Sequence, residues 1–255
     1  MRLSVAMMAH PARAASVERI LSALDRIDVP VVWDRKNDRH DTGRRAMLSY
    51  DPEADYHAVI QDDVLVCRDL CAGLERALDY LPADVPLCGY AGRVLPYRRL
   101  IDKALQKHRH THISWLTMHT LNWGPLVVVP TDAIPDMIAH YDALTGVPNY
   151  DRRLSRYWSL VRRSRIWYTW PSLVDHADGP SLVEGRGGTD RTRTAGRPRV
   201  AHTFIGEDAS ALDVDWSGEA VNLSAPGTPR MRVDHPPIFR RERTPEPVGA
   251  RDGER

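Results

Sequence analysis

The first two-thirds of the chain alternates short apolar runs with stretches whose apolar residues recur at helical spacing. Leu3 to Met8 reads as a buried strand. Val17, Ile20, Leu21, Leu24 and Ile27 follow at i, i+3, i+4, i+7 and i+10, which is one face of a helix. Pro30 to Trp33 is a second strand, ending at Asp34. Tyr56 to Gln61 is a third, ending at Asp62 and Asp63. Leu70, Leu74, Ala77, Leu78 and Leu81 then form a helical stripe, stopped by Pro82, whose ring cannot continue the hydrogen-bond ladder. Leu87 to Tyr90 and the β-branched run Leu126 to Val129 are strand-like. Asp132 to Tyr141 and Tyr150 to Val161 read as helices, and Ile166 to Trp170 as a late strand rich in aromatics.

Strand followed by helix, repeated, predicts an α/β domain: a mostly parallel sheet flanked by helices. In such open sheets ligands bind beyond the carboxyl ends of the strands. The polar residues that interrupt the apolar pattern, His10, Asp34 and the Asp62–Asp63 pair, fall at those ends. Three strand ends are therefore expected to face one crevice, which points to a small-molecule site.

From about Val183 the character changes. Gly185 to Arg199 alternates Gly, Arg and Thr, and after Asp213 come Pro226, Pro229, Pro236, Pro237, Pro245 and Pro247 among charges. Such a stretch buries too little apolar surface to offset the entropy of ordering. The expected organisation is one domain over residues 1–210 and a tail without fixed fold over 211–255.

The 255 residues suffice for one such domain without a disulfide or structural metal. Lys and Arg number 35 and Asp and Glu 34, so no global field favours nucleic acid or a membrane, and any such attraction must be local. Cys67, Cys71 and Cys88 are an odd and sparse set, which argues against a disulfide framework, and they read as small core residues suited to a reducing compartment. Met1 to Met8 is too short for a signal-peptide core, and no window reaches about 18 apolar residues. The expectation is a soluble, cytoplasmic protein.

Asp62 and Asp63 carry the sharpest chemical signal. Two adjacent carboxylates repel, and a hard divalent cation, Mg²⁺ or Mn²⁺, relieves that repulsion while leaving positions for phosphate oxygens. The alternative is a solvated turn after a strand. His108, His110 and His112 read as a solvated loop. Arg152, Arg153, Arg156, Arg162, Arg163 and Arg165 read as a charged helix face, with phosphate contact as the alternative. Trp115, Trp123 and Trp158 read as core packing, with sugar stacking as the alternative.

The order of Val5-Ala6-Met7-Met8-Ala9-His10-Pro11 with Arg13, Val31-Val32-Trp33-Asp34, Gln61-Asp62-Asp63, and the late run from Trp167 through Pro171-Ser172-Leu173-Val174-Asp175-His176 resembles the GT-A glycosyltransferases, most of all the small ones encoded by phages of actinobacteria. The resemblance covers roughly residues 1 to 210. It implies a sugar transferase using a nucleotide-sugar donor and Mn²⁺ or Mg²⁺, acting by inversion in the host cytoplasm on a virion protein or a modified DNA base. Asp62 and Asp63 would hold metal and donor diphosphate, and His176 would complete the metal site, with His202 as its competitor. His10, Arg13, Asp34, Arg44 and Arg45 would line the donor pocket, and Asp151, at the start of a helix, would be the acceptor base. The chain departs from the usual DxD pattern because its acids are adjacent, which leaves metal coordination by one carboxylate alone as an alternative. Two other functions are weighed against this one: a nucleotidyltransferase-like metal enzyme, and a non-catalytic nucleic-acid-binding module using the arginines.

Overall fold

The computed structural model describes residues 1–147, 150–177, 182 and 199–223. It confirms the α/β class, with a mixed sheet flanked by helices. The strands are β1 (Leu3–Ala9), β2 (Val31–Trp33), β3 (Tyr56–Gln61), β4 (Val64–Val66), β5 (Leu87–Cys88), β6 (Ile113–Met118), β7 (Leu126–Pro130), β8 (Ile166–Thr169), β9 (Val174–His176) and β10 (Glu219–Asn222). Among the described residues, eight of them form one sheet in the order β10-β6-β8-β5-β7-β3-β1-β2, and β4 pairs with β9 in a separate two-stranded ladder. In the large sheet β1–β2, β1–β3, β5–β8 and β6–β10 are parallel, whereas β3–β7, β5–β7 and β6–β8 are antiparallel.

The helices are α1 (Ala14–Ala23), α2 (Arg39–Met47), α3 (Leu70–Leu78), α4 (Tyr97–Lys107), α5 (Ile134–Ala143) and α6 (Tyr150–Arg156), the last continued by a π turn over Tyr157–Val161. Alpha-helical α1 ends earlier than its apolar spacing predicts, and Ile27, expected on its buried face, is 97% exposed. The reason lies in the residues beyond Ala23. Asp25 accepts the backbone N–H groups of Cys71 and Ala72 at the start of α3, and Arg26 binds Glu75 and the carbonyl of Leu3. These contacts draw the chain off the helical path.

The chain runs from β1 through α1 to β2 on one side, then returns through α2 to β3 on the other side of β1. The strand order therefore reverses at β1, beside the carboxyl ends of β1 and β3, which is where open sheets bind ligands. The core beneath it is continuous: Leu3, Val5, Met7, Ala58, Val59, Ile60 and Leu126 to Val129 are all buried. Cys67, Cys71 and Cys88 lie in it as free thiols, and burial raises those of Cys67 and Cys88 to about 12.

The boundary expected at residue 210 needs correction. Ser210 caps a 3-10 turn over Ala211–Asp213 that sits on α3, where a β-carbon at Gly73 would stand 2.2 Å from Cβ of Ala211. Trp216 is 1% exposed and lies 5.0 Å from the ring of Trp115, whose Nε1–H donates to the carbonyl of Trp216. Beta-strand β10 then pairs with β6. The packed body thus reaches Leu223, because one tryptophan and Val221 bury enough surface to hold a segment otherwise poor in apolar residues. Most of the Gly185–Arg199 stretch and the proline-rich residues after 223 lie outside the described residues.

Candidate functional site

The backbone brings His10, Asp34 and the Asp62–Asp63 pair together as expected. Parallel pairing aligns the ends of β1, β2 and β3, and the N–H of Asp34 donates to the carbonyl of Ala9 at 2.7 Å. The N–H of His10 donates to Oδ2 of Asp62 at 2.6 Å. Arg13, closing the 3-10 turn Pro11–Arg13, sets Nη1 at 3.0 Å from Oδ1 of Asp62 and 2.9 Å from Oδ2 of Asp63. Ser16, in the first turn of α1, donates to the carbonyl of Asp62 at 2.6 Å. Both aspartates are buried, at 6% and 7% exposure.

The small β4–β9 ladder decides which histidine joins them. Val64 is in register with His176, and the N–H of Ala177 donates to the carbonyl of Asp63. This sets Nδ1 of His176 3.6 Å from Oδ2 of Asp63. His202 is elsewhere, with Nε2 2.8 Å from Asp102 and its ring beside Trp170. Of the two candidates, His176 is the one beside the carboxylates.

Arg199 is a member of the site that the sequence reading missed. Its Nη1 is 4.0 Å from Oδ2 of Asp63, and its charge also bears on Asp151 and Tyr90. The buried carboxylate of Asp175 accepts the N–H groups of His176 (2.8 Å) and Ala201 (2.6 Å) through one oxygen, which ties the segment carrying Arg199 to β9. The only hint in the sequence is the short apolar pair Val200-Ala201 after the Gly/Arg/Thr stretch.

Asp151 comes near the same strand ends from α6. A β-carbon at Gly124 would lie 3.1 Å from Nε2 of Gln61, 3.5 Å from Tyr150 and 3.6 Å from Cβ of Asp151, so Asp151 borders the carboxyl end of β3. The ring of Tyr90 lies 5.3 Å from that of His176, and that of half-buried Trp123 lies 6.1 Å from Tyr90. Trp115 and Trp158 are core residues.

The electrostatics divide the carboxylates. Burial would raise Asp63, but His176, Arg13 and Arg199 outweigh it and hold this carboxyl well below the usual range. Asp62 is pushed up by burial and by the charge of Asp63, against the pull of the His10 N–H and Arg13. Asp151 is raised, chiefly by burial, which makes it more basic than an exposed aspartate.

Other expected residues have local partners. Nδ1 of His10 accepts from the N–H of Ala12, and Oδ1 of Asp34 accepts from Lys36 and Asp38, so both order the loops they begin. Arg45 bonds Asp41 and the carbonyl of Trp33 at the end of β2. Arg44 instead forms a forked pair with Asp142 of α5, at 2.7, 2.8 and 3.0 Å. His108 to His112 lie in the turn after α4, and Arg152, Arg156, Arg162 and Arg163 are exposed.

A divalent cation finds a partial fit. Oδ1 of Asp63 is buried and has no hydrogen-bond partner among the described residues, which is costly for a carboxylate unless something supplies charge there. Both oxygens of Asp62 are already engaged by His10 and Arg13. Among the described residues no three His, Cys, Asp or Glu side chains stand together as a ready ligand set. Asp63 and His176 are thus the protein groups suited to an ion whose remaining ligands come from phosphate and water. The described residues include no helix long and apolar enough to cross a membrane. Compared with known proteins, the chain matches no family model and no curated protein.

Proposed function

We propose that the chain is a GT-A-like glycosyltransferase that moves a sugar from a nucleotide-sugar donor to an acceptor hydroxyl. The observation that carries this reading is the buried Asp62–Asp63 pair at the point where strand order reverses, ringed by Arg13, His176 and Arg199. The guanidinium groups of Arg13 and Arg199 at these strand ends suit a diphosphate, and the carboxylates and His176 among them suit one that arrives with a cation.

In this reading Asp34 and His10 border the nucleoside, with Arg45 fixing the end of β2. Asp63 and His176 hold Mn²⁺ or Mg²⁺, which when bound would supply Lewis-acid stabilisation of the departing diphosphate. Asp151 accepts the proton of the acceptor hydroxyl as its oxygen bonds to the anomeric carbon. The bond from that carbon to the phosphate oxygen breaks, and its electron pair leaves with the nucleoside diphosphate. The growing negative charge falls beside Arg13 and Arg199. Direct displacement of this kind inverts the anomeric configuration.

A nucleotidyltransferase would need a third carboxylate directed at the same cation. The carboxylate of Asp175 on β9 is instead bound to backbone N–H groups, which favours the glycosyl reading. The exposed arginines of α6 and its π turn support an acidic acceptor, such as a nucleic acid.

A thermal-shift panel of nucleoside diphosphates and their sugars, with and without Mn²⁺, tests the reading. A donor at 100 times its dissociation constant is expected to stabilise the protein by about 2.7 kcal/mol, and to release its nucleoside diphosphate when an acceptor is supplied. No shift with any nucleotide sugar would exclude it.

A further inference from the structure

Arg13 is bonded to both carboxylates of the Asp62–Asp63 pair, and in the reading above Asp63 is the one that holds a cation. Its Nη1 lies between Asp62 and Asp63, at 3.0 and 2.9 Å, and its side chain is 15% exposed. Two neighbouring carboxylates at this depth need a counter-charge, since an unpaired buried charge costs several kcal/mol. Arg13 supplies it, yet among the described residues Oδ1 of Asp63 still has no partner. The compensation is therefore incomplete, and it comes from a residue on the first turn after β1, where the strand order reverses and a diphosphate would lie.

We propose that Arg13 is an exchangeable counter-ion: it neutralises Asp62 and Asp63 while no cation is bound, and on cation binding it gives up Asp63 and pairs with the diphosphate. This rests on the donor site proposed above. The groups around Oδ2 of Asp63 favour such an exchange. His176 at 3.6 Å and Arg199 at 4.0 Å remain beside it, so Asp63 does not depend on Arg13 alone. Asp62 keeps the His10 N–H at 2.6 Å whichever cation is present. A guanidinium also pairs with phosphate oxygens at least as well as with a carboxylate. Arg13 would thus serve the empty site and the loaded site through the same charge.

The exchange has a sign that a merely structural arginine does not share. Arg13 competes with the cation for Asp63 and cooperates with it for the diphosphate. Removing Arg13 should therefore strengthen the binding of cation alone and weaken the binding of diphosphate.

The test uses the full chain, with Mn²⁺ alone followed by the signal of free ion, and separately inorganic pyrophosphate with Mg²⁺ followed by calorimetry. Arg13→Gln is expected to bind Mn²⁺ about tenfold tighter and pyrophosphate about tenfold weaker, the scale of one charge-assisted bond. Asp63→Asn should lose the Mn²⁺ response in both backgrounds. If Arg13→Gln does not fold, Arg13→Lys, which keeps the charge but not the fork, should shift both affinities in the same directions by less. Unchanged or weaker Mn²⁺ binding in the arginine variants overturns the exchange, as does the absence of Mn²⁺ binding in every variant. The transferase reading fails separately, if the Mn²⁺ and pyrophosphate shifts occur but no nucleotide sugar binds.

Discussion

Tyr150 lies so close to Gly43 that a β-carbon at position 43 would stand 2.4 Å from Cδ2 of its ring. The contact joins α2, which follows β2, to the first turn of α6, which carries Asp151. Gly43 is fully inside a helix, where glycine is ordinarily disfavoured by about 1 kcal/mol relative to alanine. Its presence is explained by the approach of the ring.

Gly43→Ala should therefore destabilise the protein by about 1–3 kcal/mol despite the better helix propensity, because a fully packed ring must move. The displaced ring carries Asp151 with it, so transfer should fall more than the loss of folded protein explains. Urea denaturation and turnover on the same preparation check both parts. A stabilised variant with normal turnover would contradict the packing.

Asp151→Asn keeps the shape of the side chain but cannot accept a proton at neutral pH. Donor binding should be nearly unchanged, and transfer should fall by about 10²–10⁴-fold. Near-normal transfer with a slightly lower melting point would mean that Asp151 only orders the start of α6.

His57 should make the fold acid-sensitive above the range of ordinary carboxylates. It is fully buried in β3, with Nε2 donating to the carbonyl of Ala46 at 2.9 Å and Nδ1 2.8 Å from the hydroxyl of Ser4. Burial pushes its pKa from 6.5 down to about 4, so the folded state holds it neutral where the unfolded chain is protonated. Stability from this residue is complete above pH 6.5 and is lost as pH falls toward 4, by on the order of 3 kcal/mol at about 1.4 kcal/mol per pH unit. Melting curves of wild type and His57→Gln between pH 7.5 and 4 should show the wild type losing more. Parallel curves would contradict the assignment.

Trp216 should matter although it follows the boundary suggested by composition. Trp216→Ala is expected to cost about 3–5 kcal/mol, as for other fully buried large side chains. Of two shortened chains, one ending at Leu223 and one at Asp213, the second should be much the less stable.

The parts of the fold legible in the sequence are those whose burial follows a single period. Beta-strands β1, β3 and β7 are near-continuous apolar runs, and α3 carries an unbroken stripe. Beta-strand β6 was not visible, because Ser114 and Thr117 are polar yet buried; the hydroxyl of Ser114 is satisfied by the carbonyl of Asp215, a partner 101 residues away. Beta-strand β10 shows one buried residue, Val221, and so has no period at all. In the site, the meeting of His10, Asp34, Asp62 and Asp63 could be read because strand ends announce themselves. Arg199 could not, since its position depends on Asp175 holding the N–H of Ala201 across a long stretch of chain. Arg44, a helical arginine expected at the donor pocket, forms a forked pair with Asp142, a partner 98 residues away that no local pattern announces.

Asp63 is the residue on which Arg13, His176 and Arg199 of the proposed donor site converge, all three at one of its oxygens. The most direct measurement is the affinity of a nucleoside diphosphate, with and without Mn²⁺, for wild type, Asp63→Asn and Asp142→Asn. Wild type and Asp142→Asn should bind in a Mn²⁺-dependent manner, because Asp142 lies outside the proposed donor site, and Asp63→Asn should lose that dependence. Undiminished Mn²⁺-dependent binding by Asp63→Asn would contradict the donor site.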